Sequence, residues 1–325
     1  MNYDRIFSIS SSLEFEKISL EVFRHQYQHV PAYRKFCDLL NIDPQIVKHT
    51  TEIPFLPIEF FKSHSIIANG EKPQITFTSS GTTGSVTSKH HVSDLTLYER
   101  SFNLAFEGSY GKVKDLVILA LLPSYLEREG SSLVYMVHHL IEKSGHPESG
   151  FYLDDLEKLK VTMETLEKKG KKVLLIGVSF ALLDLVEVYS FQLKNTIIME
   201  TGGMKGRRRE MIREELHQIL KKGFGVDHIH SEYGMTELLS QAYSTGEGIF
   251  TCPPWMKIYI RDPEDALTYL SSQKTGGINV IDLANFNSCS FITTQDLGKN
   301  LGDEKTEILG RFDNSDIRGC NLMVI

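Results

Sequence analysis

The chain has 325 residues, 41% hydrophobic and 24% charged, the balance of an ordinary globular protein with a substantial core. Its formal charge of −7 and pI near 6.0 give no electrostatic case for nucleic acid or an anionic membrane as partner. Met1–Ser10 lacks a basic segment followed by an apolar one, and the longest apolar runs fall far short of a membrane span, so a cytoplasmic location without membrane insertion is expected.

In chain order, Leu13, Phe15, Ile18, Val22, Phe23 and Tyr27, then Phe36, Leu39 and Leu40, recur at helical intervals on either side of Val30-Pro31. Two helices and a proline break are predicted. Ile53–Phe61 has too many prolines for a regular element and too many aromatic rings for a loose linker, so it is expected to pack flat on the main body. Ile75, Phe77 and Thr78 alternate like the end of a strand that runs into Thr78-Ser79-Ser80-Gly81-Thr82-Thr83-Gly84. That loop has the composition of a phosphate grip: glycines let backbone N–H groups turn around an anion, and the hydroxyls add directional hydrogen bonds. No Gly-Lys-Ser/Thr closes it, so it is not a Walker A loop.

Further on, Leu116–Leu122, Val173–Val178, Thr196–Met199 and Val226–Ile229 read as strands, alternating with helical runs at Leu133–Ile141, Leu156–Leu166 and Met211–Leu220. The alternation favours an α/β layer fold with much parallel pairing. From Trp255 onward, Lys257–Ile260, Ile278–Leu283 and Cys289–Thr293 are short strand candidates that predict a smaller antiparallel sheet.

A second motif, Ser231-Glu232-Tyr233-Gly234-Met235-Thr236-Glu237, follows a strand candidate. A tyrosine can stack on a purine, glycine permits close approach, and a carboxylate such as Glu237 can hold Mg²⁺ beside phosphates. Gly202-Gly203 closes another strand where a flat base could lie on backbone. Other readings stay open. Gly177-Val-Ser179-Phe-Ala181 resembles a nucleophile elbow, with His228 and His230 downstream, which would make the protein a serine hydrolase. His228, His230, Cys252 and Cys289 could build a zinc site. His90-His91 and His138-His139 are expected to be solvated or on helix surfaces, and the basic run Lys205–Arg209 to open a helix.

Taken in order, Thr78–Gly84, Gly202-Gly203, Tyr233–Glu237, Thr294-Gln295-Asp296 and Gly310–Asp313 resemble the motif series of adenylate-forming enzymes, which activate a carboxylic acid with ATP as an acyl-AMP. Within that superfamily, Ile53-Pro-Phe-Leu-Pro-Ile58, Ser79–Gly84 followed by Ser88-Lys89, and Ile317-Arg-Gly-Cys320 are similar to the LuxE-type acyl-protein synthetases, with phenylacetate-CoA ligases as cousins. The resemblance implies a layered α/β fold of mixed sheets flanked by helices, with a small C-terminal antiparallel sheet and without the mobile C-terminal domain of most relatives. It divides the chain into a helical N-terminal segment packed on the core (1–70), an adenylation-type core (71–310) and a hinge-like tail (311–325).

The same resemblance assigns ATP to Thr78, Ser79, Ser80, Gly81, Thr82, Thr83, Gly84, Gly202, Gly203, Tyr233, Gly234, Met235, Thr236, Asp296 and Arg311, and Mg²⁺ to Glu237. Lys89 would be the loop's cation, and Ser179 and His230 would line the acyl pocket. Ser179 could instead cap the helix that follows it. Cys320 would accept the acyl group, in a reaction whose substrate is a carboxylic acid, a fatty acid by this resemblance. Candidate protein partners are an acyl carrier, a thioesterase or a reductase. Transfer to CoA or a carrier protein is the alternative outcome, and a degenerate nucleotide-binding scaffold the non-enzymatic one. Gln295 stands where the family's ribose motif has glycine.

Overall fold

A computed structural model of the chain describes residues 3–79, 86–123, 130–202 and 211–311. Ser80–Gly84, Gly203, Lys205–Arg209 and Cys320 lie outside them.

The chain begins with α1 (Asp4–Phe7), α2 (Ser12–His29) and α3 (Pro31–Leu39). The Ser11 side chain accepts the Glu14 amide and so satisfies one of the orphan donors of the first turn of α2. Pro31 opens α3, where its missing N–H costs nothing, and the proline break falls where expected. Ile53, Phe55, Leu56 and Phe61 are buried, as the aromatic-proline segment predicts, but that segment is more regular than expected. It contains β1 (Leu56–Pro57) and leads into α4 (Phe60–Ser63). A proline is tolerated in so short an edge strand because no further ladder bond is asked of it.

Next come β2 (Ile75–Thr78) and β3 (Lys89–Val92), then α5 (Leu95–Tyr110), β4 (Val117–Leu121), α6 (Ser132–Ser144), β5 (Gly150–Phe151), α7 (Leu156–Lys168) and β6 (Val173–Gly177). The chain continues through α8 (Ser179–Val188), β7 (Thr196–Thr201), α9 (Arg213–Phe224), β8 (His230–Tyr233), β9 (Ala242–Ser244) and β10 (Ile249–Thr251). It closes with β11 (Met256–Arg261), β12 (Thr275–Asp282), β13 (Phe291–Gly302) and β14 (Lys305–Arg311). The α/β class, with a helix-flanked mixed sheet and a smaller antiparallel sheet late in the chain, is the one the motifs implied.

Two compact units form: Met1–Thr76 with Val86–Leu97 and Thr251–Ile325, and Phe77–Ser85 with Tyr98–Phe250. In the first, β11, β12, β13 and β14 pair antiparallel in order, and β1 runs parallel to the start of β13 through Leu56 and Ile292. Helix α2 is pinned to this sheet by one buried amide. Gln26 Nε2 donates to Asn285 O, Phe286 O and Ser290 Oγ at 2.9–3.0 Å, while its Oε1 accepts the Ser290 amide at 2.9 Å.

In the second unit, β5, β4, β6, β7 and β8 lie side by side and parallel, and β9 returns antiparallel to β8. Helices α6 to α9 lie between successive parallel strands in sequence, as parallel connections require. Every residue of β4 and β6 is buried, which is why both read as unbroken apolar runs. A Cβ on Gly223 would stand 2.4 Å from Val186 Cβ, so glycine there lets α9 come close to α8.

Three expectations change. Val226–Ile229 is not a strand: Gly225 turns left-handed (φ +67°) and the Val226 amide donates back to Lys221 O, so the chain is still leaving α9 and pairing begins at His230. The Met211–Leu220 helix starts at Arg213, because Ile212 is extended as its N-cap. Helix α5 was not foreseen, although Tyr98, Phe102 and Phe106 mark its buried stripe.

Replacing Gln26 with leucine takes the Gln26 partner from Phe286 O and the Ser290 amide, while Asn285 O keeps its bond from Ser288 N. At roughly 1–3 kcal/mol per orphaned group, the expected loss is at least about 2 kcal/mol in urea unfolding; a loss under about 1 kcal/mol would count against this anchoring role.

Candidate functional site

Parallel pairing in the second unit sets Gly177 beside Glu200 and Thr201 beside Glu232. Gly202, directly after β7, therefore neighbours Tyr233, the last residue of β8. Ligands of open α/β sheets gather outside such carboxyl ends. A Cβ at Gly234 would come 2.5 Å from Glu232 Oε1, so glycine there leaves that carboxyl its position. The chain then turns, closed by a bond from Leu238 N to Met235 O, and buries Glu237 to 5% exposure. Met235 and Thr236 stay half-buried.

Alternation of side chains divides the polar groups between the two faces of the sheet. On one face Glu200 lies across from Ser231 and is 4% exposed. Ser179 Oγ donates to its Oε2 at 3.4 Å, while Arg213 Nε and His217 Nε2 stand 3.6 and 3.7 Å from Oε1. Burial by itself would raise this carboxyl's pKa, but His217, Arg213 and Ser231 together carry it below the ordinary value. The Arg213 guanidinium also lies 5.2 Å over the Phe250 ring, whose centroid is 6.0 Å from that of Tyr233 in an edge-on contact. Tyr233 is thus buttressed from behind.

The opposite face carries His230 and Glu232 of β8, with Tyr243 of β9 directly across from Glu232. From α5, the Tyr110 hydroxyl reaches His230 Nδ1 at 3.3 Å and its ring lies 5.4 Å from that of Tyr243. Burial, assisted by the charge of Glu200 and opposed by Thr201, pushes the Glu232 carboxyl up to about 8. Burial and the neighbouring His228 push His230 down to about 4, so its imidazole is neutral at pH 7. Ser179 and His230 consequently occupy opposite faces and are not brought together as two walls of one pocket. None of Glu200, Arg213, Gln241 and Tyr243 is marked by the sequence, and Glu232 is marked only as a member of the Ser231–Glu237 motif.

Thr78, also in this unit, donates its amide to Gly130 O at 2.7 Å, and Ser79 is half-buried. Ser80–Gly84 and Gly203 fall outside the described residues. In the first unit, Asp296 sits directly across from Arg311, with Oδ1 and Nε 4.0 Å apart. The guanidinium side is 87% exposed, so this pair contributes little to stability by itself. Thr294 Oγ1 accepts the Asp296 amide at 3.1 Å, Arg261 donates to Thr294 O at 3.1 Å, and Gln295 bonds Glu59. Lys89 opens β3 with its side chain exposed, whereas His90, expected at the surface, is fully buried and bonds Asn285 at 3.0 Å.

The alternative chemistries fare differently. Val178, not Ser179, is the N-cap of α8, so Ser179 does not cap that helix. Ser179 is 3% exposed and its hydroxyl donates to a carboxylate, whereas the hydrolase reading needs that proton to pass to His228 or His230. Among the described residues no three His, Cys, Asp or Glu side chains are grouped to hold a metal ion. Burial pushes the Cys252 thiol up to about 12 and raises Cys289 as well.

Because the folded state holds a proton on Glu232 that the unfolded chain releases near its ordinary value, the stability this group supports is present below about pH 4.5 and drains away as pH rises to about 8. Glu232→Gln is expected to flatten that slope in unfolding curves taken from pH 4.5 to 8; an unchanged slope would mean an ordinary carboxylate.

The sequence profile described as acyl-protein synthetase, LuxE, matches residues 8–325. The long-chain-fatty-acid–luciferin-component ligase of Vibrio harveyi is 23% identical over 323 residues, covering 92% of this chain and 84% of that protein. The ligase of the same name from Photorhabdus luminescens is 36% identical over 70 residues, 21% of this chain and 60% of that protein. Among solved structures, an open conformation of 2-hydroxyisobutyryl-CoA ligase with 2-HIB-AMP and CoA aligns with a TM-score of 0.67 at 13% identity, covering 94% of this chain and 72% of that one. ATP-bound MatB from Rhodopseudomonas palustris aligns with a TM-score of 0.54 at 19% identity, over 73% of this chain and 47% of that one, so this chain spans under half of MatB. The structural likenesses establish the fold. The family match runs over nearly the whole chain, and the protein belongs to the LuxE acyl-protein synthetases.

Proposed function

We propose that the chain activates a carboxylic acid, a fatty acid by its kinship, with ATP and Mg²⁺ as an acyl-AMP, and passes the acyl group to the thiol of Cys320. The observation that carries this reading is the β7–β8 edge, where the register sets Gly202 beside Tyr233, the first residue of the Tyr233–Glu237 motif. Tyr233, with Phe250 behind it, has the rigid flat face that stacks on adenine, and Gly202 leaves room for the base. A buried carboxylate oxygen at Glu237 is the hard donor that Mg²⁺ takes alongside phosphates, and the ion would supply charge neutralisation. The Thr78–Gly84 loop would hold the phosphates, and Asp296 with Arg311 the ribose.

In the first step an acid carboxylate oxygen bonds to the α-phosphorus and pyrophosphate leaves. In the second, the Cys320 thiolate bonds to the acyl carbon and AMP leaves, forming a thioester. Two anions meet in the first step, so a site that neutralises charge with preorganised donors is what the chemistry needs. The neutral states favoured for Glu232 and His230 fit that requirement, since an ionised Glu232 would repel the incoming acid.

Incubation with ATP, Mg²⁺ and a fatty acid is expected to add an acyl-sized, hydroxylamine-labile increment to the intact mass. Cys320→Ser should lose the increment and keep pyrophosphate release, while Glu237→Ala should lower pyrophosphate release on the order of 100-fold. An increment that persists in Cys320→Ser would move the acceptor elsewhere, and no acid-dependent pyrophosphate release from the wild type would overturn adenylation.

A further inference from the structure

The α5-facing side of β8 and β9 carries more hydrogen-bonding capacity than the described residues use. The Tyr243 hydroxyl and Gln241 Oε1 are buried with no hydrogen-bond partner among the described residues, in residues that are each 4% exposed. Such atoms are expensive to leave unpaired, roughly 1–3 kcal/mol each. They belong to one place. Tyr243 pairs across the ladder with Glu232, and Gln241 directly precedes β9. A Cβ at Gly234 would stand 2.5 Å from Glu232 Oε1 and 3.2 Å from Gln241 Cγ, so both side chains flank the glycine that follows Tyr233. Tyr110 and His230, half-buried beside them, already use their polar atoms on each other at 3.3 Å.

An unbranched hydrocarbon chain would leave the Tyr243 hydroxyl and Gln241 Oε1 unpaired. A neutral hydroxyl does better: it accepts from the Tyr243 phenol and donates to Gln241 Oε1 or the Glu232 carboxyl. A ligand carboxylate is disfavoured by Glu232 itself, since two carboxyl groups at close range cannot both ionise cheaply. We propose that Glu232, Gln241 and Tyr243 form a polar subsite that selects acids bearing a hydroxyl group along their chain over the unsubstituted parents. The inference rests on the reading that the end of β8 holds the acyl-adenylate, and makes the substrate class of that site a hydroxylated acid.

The test measures acid binding and adenylation separately. Hydroxylated acids, with the hydroxyl moved along the chain, and their unsubstituted parents of equal length are titrated calorimetrically into wild type, Tyr243→Phe and Gln241→Leu with Mg²⁺ and a non-hydrolysable ATP analogue. ATP–pyrophosphate exchange is then run with the same acids. At least one hydroxylated acid is expected to bind wild type about 10-fold or more tightly than its parent, with the ratio falling towards one in both variants. Tyr243→Phe removes a single oxygen, so a folding failure there is not expected, and thermal unfolding checks it. Equal or tighter binding of the parents, no binding of any acid, or a preference that survives both substitutions overturns the subsite and leaves ordered water as the partner of these atoms. Hydroxyl-selective binding without exchange for any acid sustains the subsite and overturns adenylation. Exchange without hydroxyl preference does the reverse.

Discussion

A carboxylate buried almost completely at the end of β7 is the constraint on which the second unit turns. Glu200 can remain charged there only if its surroundings replace water, and they do so from two helices at once: Ser179 opens α8, while Arg213 and His217 lie on α9. The carboxylate therefore ties both helices to the strand that runs into Gly202. Taking away one partner would leave a buried charge uncompensated, a far larger cost than the net worth of the pair. Arg213 extends this arrangement by lying over Phe250, which in turn meets Tyr233. The position of the motif tyrosine thus depends on a charge it does not touch.

Strand β8 then uses its alternation to keep two sets of side chains apart. Ser231 and Tyr233 turn towards the Glu200 side, where a flat ring has rigid support. His230 and Glu232 turn towards α5 and meet Tyr110 and Tyr243. In the proposed reading the nucleotide is held on the first side and the acid on the second. A substitution at Glu232 or Tyr243 could alter which acid is accepted while the adenine face remains intact. A sheet strand suits this division because neighbouring residues are locked onto opposite faces by the pleat, with no dependence on loop conformation.

The first unit shows how far stabilising contacts can lie from the sequence features that announce a motif. The Thr294–Asp296 stretch is held by its own Thr294 hydroxyl, by Arg261 from β11 and by Glu59 from the turn before α4. Gln295, which departs from the family's glycine, has a side-chain partner in Glu59. The departure therefore has a structural use in this chain. Likewise the buried Gln26 satisfies the turn between β12 and β13 from a helix about two hundred and sixty residues away in sequence.

What the sequence alone determined was local or ordered along the chain. The two N-terminal helices follow from apolar spacing and one proline, β4 and β6 from unbroken apolar runs, and the family from five motifs in a fixed order. Each of these depends on neighbours in sequence or on residue types that only one chemistry needs. What only the tertiary structure decided was pairing. Val226–Ile229 has strand composition, yet the turn after α9 occupies it and the ladder starts at His230. Ser179 has the setting of a nucleophile, yet its hydroxyl goes to a glutamate on the next strand. The opposition of Glu232 and Tyr243 is set by the register of β8 against β9. Register depends on how whole strands bury their faces, and a shift of one residue would send each of these side chains to the other face.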